Sequence, residues 1–389
     1  MKKYIFIILI IALLFSVVFA EGEEETQRII DEYIKIYGES IEDGVNDIKD
    51  TGVEDIFPGF SVQKLLGDAA KGNNLFSPDE IISRLLVLLL REIRKVLKLL
   101  VIVPVIAVIN SYIVGMNKDF KTKGTTKAAF FVSYIVMSGV LSVAFIETVR
   151  CGQNTMENVA VFMRILVPVT LASLAASGAV VSATAFEIIL VSVIEITELA
   201  IEKFFMPMVL MATALNIANN VSGSLNAEKL VKLLNQTVKW GLGVLLTLFV
   251  GIIGLQGVVA GSADGLTAKV TKFAASNLVP MVGGILAETV ETVMNCSVVI
   301  KNAVGVVGII AVIGILVVPV IKVSACLIMF RLLAALIQPI SEECLVKCVT
   351  EFGDSVSQIL GMLVAVLVLF VIILTIIINI GNAAVLLGR

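Results

Sequence analysis

The chain has 389 residues, of which 58% are hydrophobic and only 16% charged, with a net charge of −3. That composition excludes an ordinary soluble globular protein, and apolar runs of about 18 residues or more recur along it as candidate membrane helices. The absence of histidine excludes His metal ligands, haem ligation by His, and every Ser–His or Cys–His nucleophile pair. The runs are continuous rather than alternating, which excludes a membrane β-barrel. The fold class expected is all-α: a polytopic helical membrane protein with about eight or nine transmembrane helices.

The chain opens with Met1-Lys-Lys and an apolar run from Tyr4 to Phe19. This has the form of a cleavable signal peptide over residues 1–20, with small residues Val18 and Ala20 at the cleavage positions. An uncleaved anchor is the alternative. Residues 21–78 follow as an acidic extracytoplasmic segment, led by Glu21, Glu23, Glu24 and Glu25 and broken by Gly38, Gly44, Gly52 and Pro58-Gly59. A short helix is expected near Thr26–Tyr37, but the segment is too small and polar for much of a core.

Residues 79–389 form the helical membrane domain. Ser77-Pro-Asp-Glu80 reads as a helix start. The helix beyond it carries Arg84, Arg91, Arg94, Lys95 and Lys98 within an arc of about 100°. Such a face is either an interfacial surface for anionic lipid or a plain solvated face. Candidate spans follow at 96–116, 128–146, 159–181, 204–221, 240–261, 304–321, 323–340 and 358–380. Lysines in 117–127 and 222–239 place both loops in the cytoplasm, and the acids of 341–357 place that loop outside. The basic helix at 84–98 conflicts with this rule, because the signal peptide puts it outside.

Residues 184–202 carry Glu187, Glu195, Glu198 and Glu202 within an arc of about 80°. The two central acids cost roughly 5 to 7 kcal/mol at mid-membrane, and ten Phe, Ile, Leu and Val residues return roughly 3 to 6. Such a helix crosses only with protein or water against its acidic stripe. The expectation is that it crosses.

The five cysteines (Cys151, Cys296, Cys326, Cys344, Cys348) show no CxxC and read as small buried hydrophobes. No GxxxxGK[ST] loop, HExxH or GxSxG is present. The chain is expected to be no enzyme and to hold no cofactor or metal. With basic residues not interleaved with aromatics, nucleic acid is not an expected partner; the lipid bilayer is.

The most unusual stretch runs from Trp240 to Gly308. In its first helix Gly243, Thr247, Gly254, Gly257 and Gly261 share a face, and Gly257 with Gly261 makes a GxxxG step for close helix approach. That face packs either within the chain's own bundle or against another subunit. A small-residue-rich amphipathic segment, 262–303, then separates two apolar runs. Glu288, Glu291 and Asn295 share a helix face that is either a solvated or interfacial surface or the polar wall of a water-filled path. Gln256, Asp264, Lys272, Asn277, Pro280, Lys301 and Asn302 are the further candidate path or interface residues.

Gln256-Gly257, Ala263-Asp-Gly265, Lys272-Phe273, Asn277, Val279-Pro280, Gly283, Glu288 with Glu291, and Lys301-Asn302-Ala-Val-Gly305 resemble the stage III sporulation protein AE family. The resemblance covers nearly the whole chain, including Gln338-Pro339 and the final hydrophobic helix. It implies a multi-pass subunit of a channel or secretion-like complex in the mother-cell membrane around the forespore. The implied partners are other membrane subunits, a separate ATPase, and a forespore-side partner across the intermembrane space. The alternative is a secondary transporter or permease for an ion or small solute, with Glu195 and Glu198 as its ionisable groups.

Overall fold

The computed structural model describes residues 56, 57, 61–71, 78–117, 123–222, 226–278 and 283–388, with single positions between 28 and 42. Backbone alone is described for 114–117, 123–127, most of 258–293 and 381–388. The signal-peptide expectation for 1–20 and most of the acidic segment lie outside the described residues. The described residues between 28 and 42 are helical, in keeping with the short helix expected there.

The helices are α1 (Val62–Ala70), α2 (Pro78–Leu100), α3 (Ile102–Asn117), α4 (Lys123–Ala176), α5 (Val180–Leu199), a π-helical turn (Ala200–Phe205), α6 (Met206–Ser222), α7 (Glu228–Leu278), α8 (Gly283–Ile337) and α9 (Glu343–Gly388). α2 begins as the sequence indicates, at Pro78 with Asp79 and Glu80 in its first turn. Among the described residues six helical rods are long and apolar enough to cross a membrane: Asp79–Ile113, Phe130–Ala176, Val180–Val221, Glu228–Gly257, Met294–Ile337 and Glu343–Ile380.

Six rods replace the eight or nine spans expected because three pairs of apolar runs are continuous helix. Runs 128–146 and 159–181 fuse into α4, whose polar middle lies on one side. There Glu147, Arg150, Asn154 and Glu157 are exposed while Thr148, Val149, Thr155 and Met156 are buried. Helical periodicity thus absorbs an interruption that a hydropathy window reads as a loop. Runs 304–321 and 323–340 fuse into α8 in the same way, with Lys322 exposed and Val323 and Cys326 buried. The acidic 184–202 segment continues through the π-helical turn into α6, making one rod of 42 residues.

Side-chain contacts fix how the rods run. α8 and α9 are antiparallel: Lys301 meets Ile378 at one end, and Arg331 meets Asp354 at 2.7 Å toward the other. α7 runs parallel to α9, since Asn235 accepts from Gln358 Nε2 at 2.9 Å and Gly257 packs on Ile376 and Ile380. α4 also runs with α9: the Phe145 ring meets Phe352 edge-on at 5.7 Å, and Gly152 lies against Ile359. Phe330 of α8 stacks on the same Phe352 at 6.1 Å, so one aromatic cluster joins three rods. The bundle therefore has a near end, at 222–228 and 338–343, and a far end, at 176–182 and 376–380.

This arrangement corrects the placement of 341–357. The stretch is mostly the first four turns of α9 rather than a loop. Lys347 lies 3.2 Å from Glu228, and Asn220 Nδ2 donates to Glu351 at 2.7 Å. Residues 341–357 and 222–239 thus share one end of the bundle and cannot lie on opposite sides of a membrane. Of the acids that suggested an external loop, Glu351 accepts from Asn220 and Asp354 from Arg331. In a chain freed of native cysteines, Glu228→Cys with Lys347→Cys is expected to join through a short bis-maleimide in intact membranes. Failure to cross-link would restore the opposite-side arrangement.

Candidate functional site at the far end of the bundle

α4 ends in a glycine-dependent cap. The Ala179 N–H donates to the Leu174 carbonyl at 3.3 Å and the Gly178 N–H to Ala175 at 3.0 Å, the pattern of a Schellman motif. Gly178 has φ +91°, which L side chains rarely adopt, and a Cβ there would also strike Met294 Cε at 2.2 Å. α5 starts two residues later, and this haste creates a problem. Its N-cap position is Ala179, which has no side-chain oxygen for the first orphan amides of the helix.

Asp264 solves it from α7. Its carboxyl group is 1% exposed and accepts from the Val181 N–H at 2.9 Å (Oδ1) and the Ser182 N–H at 3.1 Å (Oδ2). The charge also sits at the positive end of the α5 dipole. A carboxylate 83 residues away in sequence therefore caps a helix that cannot cap itself. This is the first of the candidate residues of 256–302 that the fold puts to use.

Lys301 is the second. Its side chain is 2% exposed, and Nζ donates to the Ile378 carbonyl of α9 at 2.6 Å. One turn on, Gly305 seats the Ile378 side chain, where an added Cβ would lie 2.2 Å from Ile378 Cγ1. Lys301 thus takes the main chain of Ile378 while Gly305 makes room for its side chain. Gly257 of α7 lies 3.5 Å from Ile376 and Ile380, measured from an ideal Cβ. The end of α9 is gripped from both sides, and the Asp264 cap lies less than two turns further along α7.

Other candidates are distributed differently. Gly243 and Gly254 open onto empty space, so that part of the glycine face points out of the bundle while Gly257 points in. Gln256 is half-buried, Asn295 is exposed, and Asn302 is half-buried with its Oδ1 buried and unbonded among the described residues. Gly261, Lys272, Asn277, Glu288 and Glu291 lie on the helical backbone of α7 and α8, with side chains outside the description; Pro280 lies outside the described residues. Glu195 and Glu198 are far from this cluster. Both accept from Arg164 of α4, Glu195 at 2.9 Å from Nε and Glu198 from Nη2.

Sequence reasoning missed Arg164, Gly178 and Met294. A lone arginine inside the apolar 159–181 run was a usable signal, because such a charge in a membrane helix wants a partner. Gly178 and Met294 carry no comparable signal, since their role depends on a contact 116 positions apart.

Antiparallel apolar rods, polar groups turned inward and charged pairs between helices define a polytopic α-helical membrane protein. No solved structure matches the chain. The family model for stage III sporulation protein AE matches residues 60–381, and the chain belongs to that family. It is similar to "Stage III sporulation protein AE" of Bacillus subtilis (strain 168), with 28% identity over 314 residues, 80% of this chain and 78% of the relative. Membership of this family implies a role in sporulation.

Asp264→Ala is expected to destabilise the bundle by about 2–3 kcal/mol, because two buried amides lose a charged acceptor. Asp264→Asn keeps one oxygen and should cost about 1 kcal/mol. Denaturant midpoints in detergent test the order. Gly257→Ala should be nearly neutral, its new Cβ making an ordinary contact, whereas Gly257→Leu overpacks by about 1–3 kcal/mol. Equal midpoints for the two Gly257 variants would refute the packing role.

Proposed function

We propose that this protein is a non-enzymatic, multi-pass subunit of the channel or secretion-like complex joining mother cell and forespore. Its place is the mother-cell membrane around the forespore. The observation that carries this reading is the family match over 60–381 on a chain of membrane-length rods. In this reading the protein works beside other membrane subunits and a separate ATPase, with a forespore-side partner across the intermembrane space. The far end, which carries 262–303, faces that space. The near end, where Lys229 and Lys232 are exposed, faces the cytoplasm.

The Arg164 pairing favours this reading over a secondary transporter. Glu195 and Glu198 are engaged by a guanidinium rather than presented to a solute or proton path. In a scaffold such a triad orients two rods, and charges already satisfied tolerate a lipid boundary better than lone ones.

Two measurements separate the readings. Affinity purification of the full chain from sporulating cells is expected to recover other membrane subunits of the apparatus. Purified protein alone in liposomes is expected to show no gradient-driven uptake. Autonomous uptake abolished by Glu195→Gln would establish the transporter instead.

A further inference from the structure

The rods are too long for one bilayer. The membrane-length rod of α4 runs from Phe130 to Ala176, 47 residues, and that of α9 from Glu343 to Ile380, 38 residues. At 1.5 Å per residue these are about 70 and 57 Å, against a hydrocarbon core of about 30 Å. Charged side chains ring the bundle near its middle. On α4 the exposed Glu147 and Arg150 flank Thr148, which donates to Cys326 Sγ at 3.3 Å one turn from the exposed Lys322 of α8. Glu92 of α2 and Lys322 both lie close to Cys151. Gly152 touches Met206 and Ile359, and Gly241 touches Phe205. These contacts bring the π-helical turn with Glu202 and Lys203, the Lys239-Trp240 pair of α7 and the Ser357 region of α9 to the same height.

At that height the outer faces of α7 and α9 change character. Toward the near end, α7 exposes Glu228, Lys229 and Lys232, and α9 exposes Glu343, Lys347 and Asp354. Toward the far end, α7 exposes Val244, Leu248, Ile252 and Leu255, and α9 exposes Val364 and Val368. No Asp, Glu, Lys or Arg occurs from Trp240 to Ala263, from Asn302 to Ile321, or from Ser355 to Gly388. Trp240, the chain's single tryptophan, is 68% exposed at the switch beside Lys239. An exposed Trp next to a Lys is the pairing found at the headgroup level of membranes, where the indole is part apolar and part wet and the ammonium reaches water.

We infer that this mid-height belt is a membrane–water boundary: the bilayer wraps only the far half of the bundle, and the near half stands clear of it. The belt's occupant is the anionic headgroup layer. Arg94, Lys95, Lys98, Arg150, Lys239 and Lys322 are all exposed there and outnumber the acids: Glu147 is exposed, Glu202 is paired with Lys203, and Glu92 is buried and paired with Lys95 at 2.7 Å. α2 fits this position, because its other faces are buried against the bundle or expose Leu86 and Leu90 beside the basic arc. The far half is the embedded one because three of its rods are free of exposed charge. On α4 and α5 the charges of that half are the Arg164–Glu195–Glu198 triad, exposed at Arg164 and Glu195 but paired across the two rods, and the exposed Glu187, which lies within about 10 Å of the outer end. In consequence the exposed Val132 and Val136 of α4 lie outside the bilayer as an apolar flank. The inference rests on the membrane-subunit reading, but its tests do not depend on which complex the chain joins.

Trp240 makes the first test possible on the unmodified protein. Reconstituted in vesicles with bromine at graded depths along the acyl chains, its fluorescence is expected to be quenched most by the shallowest bromines, at least twice as strongly as by the deepest. Strongest quenching from mid-bilayer bromines, or none from any lipid, would overturn the boundary. Cysteine substitutions in a background without native cysteines test which half is embedded. Leu248→Cys and Val368→Cys are expected to resist a water-soluble maleimide, while Lys232→Cys and Val136→Cys react. Reaction at the first pair, or protection of Val136→Cys in purified protein free of other subunits, would overturn the assignment. Last, R94Q/K98Q/K322Q should at least halve the ratio of anionic to zwitterionic lipid retained on purification. An unchanged ratio would overturn the headgroup role.

Discussion

Backbone amides that cannot reach water must find acceptors inside the protein, and the far end of this bundle is arranged around that requirement. α4 and α5 are joined by so short a turn that α5 begins at Val180 behind an alanine, leaving its first amides without a local acceptor. The Asp264 carboxyl group takes two of them. That bond ties α7 to the α4–α5 turn. Met294 closes over Gly178 from α8, and Lys301 joins α8 to α9 through a main-chain carbonyl. Four rods are held by polar contacts whose loss would leave buried groups unsatisfied, which costs more than the bonds themselves contribute.

The same economy explains the rest of the bundle. Charges that seem out of place in apolar helices are matched across rods: Arg164 with Glu195 and Glu198, Arg331 with Asp354, Lys347 with Glu228. Between these, close approach depends on missing side chains. Gly152, Gly241, Gly305 and Gly308 each lie where an added Cβ would press on a side chain of a facing rod. Without a strong hydrophobic drive between helices in lipid, such close packing and interhelical polar contacts are what hold rods together. The π-helical turn at Ala200–Phe205 adds a residue to the helical register between α5 and α6, re-aiming Phe205 onto Gly241.

These contacts bear on function through the segment that carries the family resemblance. Asp264 and Lys301 lie near its two ends, and both are spent on anchoring α7 and α8 to the bundle. The helical backbone of α7 and α8 between them thus extends from an anchored base. The glycines divide along similar lines: Gly257 packs inward, while Gly243 and Gly254 face outward and leave a small-residue surface on the outside of α7.

The sequence by itself determined the helical membrane class, from apolar run length, the start of α2, from Ser77-Pro-Asp-Glu80, and the family, from the residues of 256–305. Each of these signals is local: an apolar run of sufficient length in lipid, for one, has no alternative to helix. What only the tertiary structure decided is which polar residues interrupt a helix and which lie along its side. Glu147 and Lys322 read as loops in one dimension and as exposed faces of α4 and α8 in three. The side of the bundle on which 341–357 lies was likewise decided by partners distant in the chain, Glu228 and Asn220. The stretch from Trp240 to Gly308 was legible as the distinctive part of the sequence, but not as a clamp. Asp264 acquires its role from an alanine at position 179 that cannot cap its own helix, and no spacing rule within α7 expresses that need.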